Sequence, residues 1–207
     1  MVLGVPAVAG AQRGVVAPQG ALAEIDTRLA RETMRALQEG GADEKAKAVD
    51  AILASPDRFA PPVLYLLSNV LFERGDMDEA AFWFYAGQLR ARVDANRCVD
   101  PTARQAVSVL NNEYGPPINR YAFKDIPKLE ALIPRVVEWD KTTPRNYDHR
   151  WINLHGMDAI LSTSGPPGPD ASLSLPPEQW ERIDDTTRAD YLDGFRKAMA
   201  QIKAMKK

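Results

Sequence analysis

The chain is short of the residues that most chemistry needs. Its 207 residues include one cysteine, Cys98, and two histidines, His149 and His155. A lone cysteine cannot close an internal disulfide, and it cannot build a structural zinc site without three other ligands. Its plain role is a small, buried or half-buried thiol in a helical region. Scarce cysteine leaves the compartment open, since such a chain suits reducing or oxidising surroundings. No apolar run approaches the ~18 residues that a membrane-spanning helix requires, so no integral membrane contact is expected. Neither sign of charge dominates: 26 Lys and Arg face 28 Asp and Glu, for a formal net charge of −2. Without a clustered basic surplus, nucleic acid is not an expected partner. The GxSxG, phosphate-loop, HExxH and CxxC patterns are all missing, so no cofactor and no metal is expected.

What is present is ordinary globular material, 45% apolar and 26% charged, in a length that suits one domain. Residues 2–11 are small and apolar, and Ala9-Gly10-Ala11 fits the cleavage pattern of an export signal, although no Lys or Arg precedes it. Residues 1–18 therefore read either as the remnant of a signal, which places the protein in the periplasm or outside the cell, or as a plain tail on a cytoplasmic protein. Residues 19–207 read as a single all-α domain of about seven to eight helices, either a helical-hairpin repeat or an irregular bundle.

Leu22, Ile25, Leu29, Thr33 and Leu37 predict a first helix ending at Gly40-Gly41, and a second spans 43–54. A third follows Pro61-Pro62 and runs to Gly75. The fourth opens on Asp76 and Glu79, spaced as a capping box, and is apolar nearly all round, as a central helix would be. Arg90, Arg92 and Arg97 fall near its C-terminal end, where cations suit the macrodipole. A fifth helix is expected from Asp100-Pro101 to Tyr114, closed by Gly115-Pro116-Pro117. A sixth starts near Asp125, with a kink or split at Pro134. A short helix is expected at 149–161, a loop at 162–177, and a terminal amphipathic helix from about Thr186. That last helix carries Leu192, Phe195, Met199 and Ile202 on its apolar face.

Leu37, Gly41 and Ala46 recur as Leu71, Gly75 and Ala80, at an offset of 34 residues. The leucine ends a core face, the glycine allows a reversal, and the alanine lets the returning helix come close. With Leu64, Leu67, Ser68, Phe84 and Gly87 in the second copy, residues 27–91 resemble the tetratricopeptide repeat and its relatives built from stacked helical hairpins. The first copy carries Leu53 and Pro56 but has Asp50 where the family places an alanine or aromatic, and no third copy follows at this offset, because residue 109 is Val. The resemblance implies a concave face made by the first helix of each hairpin. Arg28, Arg31 and Arg35, with Tyr65, Asn69 and Phe72, would look into it and hold a protein or peptide partner. Guanidinium forks and an amide suit carboxylates and peptide backbone. The plainer reading makes the three arginines the solvated face of an amphipathic helix.

A second candidate is the segment with Arg145, Tyr147, Asp148, His149 and His155. It reads as a polar pocket in which Asp148 orients a histidine for hydrolytic chemistry, or as an aromatic and arginine-rich turn packed on the core. On a helix, His149 and His155 would point roughly 120° apart, which is poor geometry for a shared metal. The leading expectation is a non-catalytic binding module, an adaptor or inhibitor. A hydrolase-like enzyme and a structural subunit of an envelope or secretion assembly are the rivals.

Overall fold

The computed structural model describes residue 18, residues 20–155 and residues 172–205. The expectations for residues 1–17 and for residues 156–171 lie outside these. Among the described residues are seven α-helices: α1 (Arg28–Glu39), α2 (Ala42–Ala54), α3 (Pro61–Arg74), α4 (Met77–Arg97), α5 (Gln105–Ala122), α6 (Ile126–Thr142) and α7 (Trp180–Met205). Short 3-10 segments lie at Gly20–Glu24, Pro56–Arg58, Pro101–Arg104, His149–His155 and Pro177–Gln179. The only extended pairing among the described residues is an isolated bridge between Cys98 and Ser174. The fold is all-α. No described helix is long and apolar enough to cross a membrane.

α4 is the axis of the structure, packing against α3, α5, α6 and α7. Its small residues make that possible. At Gly87 an added Cβ would lie 3.2 Å from the Tyr65 ring and 3.3 Å from Leu64 Cβ, so the glycine is what lets α3 come close. The α3–α4 reversal uses Gly75 at φ 93°, with Gly75 N–H donating to Phe72 O and Asp76 N–H to Leu71 O, the Schellman pattern. α3 also packs against α1 on one side and α5 on another, and α1 packs against α2.

Several local expectations are corrected. The first helix is interrupted at residues 25–27, because Asp26 accepts from the Arg28 amide and guanidinium instead of letting the helix continue. Asp76 makes no side-chain cap bond; Asp125 and Asp100 do, accepting from Lys128 N and Thr102 N. α5 continues through Gly115-Pro116-Pro117. The carbonyls freed by the two prolines belong to exposed Asn112 and Glu113, where water meets them, while Tyr114, Gly115 and Ile118 stay buried. α6 likewise crosses Pro134 without a break. The terminal helix starts at Trp180, six residues early, and Met199 is buried on it with Leu192, Phe195 and Ile202 packed against the core.

The early start of α7 brings Asp184 into a buried charge cluster. Arg97 donates to Asp184 through Nε and Nη2 at 2.9 and 2.5 Å, and Arg145 adds a contact at 3.3 Å. Arg145 also donates to Asp140 at 2.6 Å, and Arg188 does so at 2.8 Å. Arg90, with no side-chain exposure, lies 3.4 Å from Asp140, donates to the Thr143 and Pro144 carbonyls, and stacks 4.3 Å from the Trp139 ring. Arg90 and Arg97 are thus interior ion-pair partners, not cations placed for the macrodipole. Removing one carboxylate would leave buried guanidinium without its counter-charge. Asp184→Asn is expected to lower the unfolding free energy by about 3–5 kcal/mol in denaturant titrations; a variant as stable as wild type would show that the cluster does not hold α7.

Candidate functional site

Of the two residue sets expected from sequence, the structure gathers neither as a unit. Tyr65 is fully buried, its hydroxyl donating to Asn111 Oδ1 at 2.8 Å and its ring edge-on to Phe84, so it does not look into an open face. Asn69 donates to Glu73 on its own helix, and Phe72 meets Tyr121 of α5. α5 covers the α3 residues that an uncapped pair of hairpins would leave open. Arg28, Arg31 and Arg35 are exposed on α1, with Arg28 paired to Asp26 at 2.8 Å.

The second set is dispersed among separate partners. Arg145 belongs to the charge cluster. Tyr147 donates to Asp94, as does Trp151 Nε1 at 2.8 Å. Asp148 accepts from Arg150 and from the Asp26 amide at 3.1 Å, so it orients neither histidine. His149 Nε2 lies 2.8 Å from Ser174 Oγ, with the imidazole edge-on to Trp180. Burial, reinforced by the Arg97 guanidinium, depresses its pKa to about 4, which makes it a weak base for drawing a serine proton. The pair instead pins residue 174 to the turn. His155 is exposed beside Trp151. Among the described residues, no three His, Cys, Asp or Glu side chains gather in a way that could hold a metal ion.

One residue from each set does meet the other, in a groove that sequence reasoning missed. A cavity of about 590 Å³ lies between α1 and α5 and is lined as well by Pro62 of α3 and by Trp151, Leu154 and His155 of the 149–155 segment. Met34 and Ala30 of α1, Leu110 and Val109 of α5, and Trp151 and Leu154 make its apolar walls. Val109 is 61% exposed and adds to the apolar surface on the α5 side. Arg31 stands on the α1 rim, Glu113 on the α5 rim, and His155 beside Trp151. The walls are ordinary amphipathic positions in sequence, and only the α5–α1 approach turns them into a site.

Asp94 is the other residue sequence reasoning missed. Wholly buried, its carboxyl is pushed up to about 6 by desolvation, against the pull of Arg145 and the Trp151 and Tyr147 hydrogen bonds. It anchors Trp151, which lines the groove. No family model, no curated protein and no solved structure matches the chain.

The depressed His149 pKa has a sign that can be checked. The unfolded chain binds this proton more tightly than the fold, so the group's contribution is whole above pH 6.5 and is lost as pH falls towards 4. His149→Gln should remove that part of the acid-side loss, giving a flatter stability profile between these pH values. Parallel profiles for variant and wild type would place the histidine in water.

Proposed function

We propose that the protein is a non-catalytic, helical-hairpin binding module whose α1–α5 groove takes an amphipathic segment of a protein partner. The observation that carries this reading is the groove itself: a mainly apolar trough of about 590 Å³ whose charged lining residues, Arg31 and Glu113, are both exposed. Such a trough suits the apolar stripe of a helix or short peptide. The rim charges define the partner further. Neither Arg31 nor Arg35 forms a direct ion pair among the described residues; Arg31 acts on Asp26 only through its field, and Asp26 is bound by Arg28, so the segment presents acids towards α1. The packing of α3 against both α1 and α5 supports a repeat-like reading, in which the first helices of successive pairs lie side by side over one face.

The hydrolase alternative gains no support from the residues named for it, since Asp148 serves Arg150 and the α1 start.

Selection of a displayed random-peptide library on the full chain should enrich apolar residues at helical spacing with an acid beside them. Enriched peptides, measured by fluorescence anisotropy, should bind Met34→Glu and Arg31→Glu at least about tenfold more weakly, a loss of roughly 1.4 kcal/mol. Equal binding to those variants moves the site elsewhere and ends this reading. Concentration-dependent dimerisation abolished by Met34→Glu would instead make a second copy the occupant.

A further inference from the structure

We propose that the polar cavity between α4, α5 and α7 is a binding site for a small monocarboxylate with an apolar body. The cavity, about 360 Å³, is separate from the groove and is lined by Arg92 of α4, Arg104, Ser108 and Asn111 around the α5 start, and Asp190 and Tyr191 of α7. A space of that size suits a small organic molecule.

Its polar wall is built on a hydrogen-bond chain that joins α3, α4, α5 and α7. The Tyr191 hydroxyl donates to Gln88 Oε1 at 2.8 Å, and Gln88 Nε2 donates to Asn111 Oδ1 at 2.8 Å. Tyr65 donates to the same Asn111 oxygen, also at 2.8 Å. In this arrangement the Asn111 carbonyl accepts both bonds, which leaves its N–H₂ group to donate into the cavity that Asn111 lines. Burial holds the Tyr65 and Tyr191 hydroxyls protonated, so neither adds negative charge to the cavity wall.

The charges complete the match. Arg92 lies over the Tyr191 ring, 5.3 Å from its centroid, which restricts the guanidinium without neutralising it. Neither Arg92 nor Arg104 forms an ion pair among the described residues. Two guanidinium groups and the single carboxylate of Asp190 leave one net positive charge, which matches a monoanion better than a phosphate dianion. The guanidinium forks and the amide donors can meet both oxygens of a carboxylate. Ala95, Val107 and the Tyr191 ring supply an apolar wall for the rest of the molecule.

The test is titration of the isotope-labelled full chain with benzoate, followed by NMR. The site predicts saturable shifts in the millimolar range or tighter, including the Asn111 side-chain amide. Benzamide, of the same shape without the charge, and inorganic phosphate should give no saturable shift there. Arg104 is exposed, so Arg104→Gln should fold normally and weaken benzoate at least about tenfold. Arg31→Glu, in the separate groove, should leave benzoate binding unchanged. No saturable shift with benzoate, equal response to benzamide or phosphate, or wild-type affinity in Arg104→Gln would overturn the proposal.

Discussion

The buried charge cluster on α4 is the constraint on which the rest of the molecule depends. Arg90, Asp94 and Arg97 project from successive turns of a helix otherwise lined with alanine and aromatic residues. Taking such groups out of water is costly, and the cost is recovered only when every partner is in place. Asp140 from α6, Asp184 from α7, and Arg145 with the Thr143 and Pro144 carbonyls must therefore arrive together. Apolar packing alone would let α6, α7 and the 143–151 segment settle in several registers against α4. The ion pairs select one.

That selection reaches the groove through short, continuous links. Arg90 fixes the chain leaving α6, and Asp94 then takes Tyr147 and Trp151. Asp148, between them, accepts from the Asp26 amide just before α1. The segment is thus tied to α4 at one side and to the α1 start at the other, and its Trp151 and Leu154 line the groove. The groove is a consequence of how the polar residues of α4 place a loop, as well as of how α1 and α5 pack.

Local signals in the sequence were legible where local chemistry decides the outcome. The Gly75 reversal, the buried α4 and the apolar stripe of α7 all follow from residue spacing, and the structure agrees with them. Two failures are local, at Asp26 and Asp76; the others fall where tertiary contacts outweigh local preference. Pro116 and Pro117 would end an isolated helix, yet the buried Tyr114 and Ile118 on either side carry α5 past them. Arg90 and Arg97 read as helix-end cations because nothing near them in sequence reveals Asp140 and Asp184, more than 40 residues away. The groove was hidden for the same reason. Arg31 and His155 were each noticed, but only the long-range approach of α1, α5 and the 149–155 segment brings them to one trough.

Hydrogen exchange on Asp140→Asn, compared with wild type, tests most directly whether the α4 cluster positions the groove. Breaking the cluster at α6 should speed exchange in residues 143–155 and in α7, while α2 and α3 keep their protection. Unchanged exchange across 143–155, or loss of protection spread evenly over all helices, would contradict the claim that these ion pairs seat that segment.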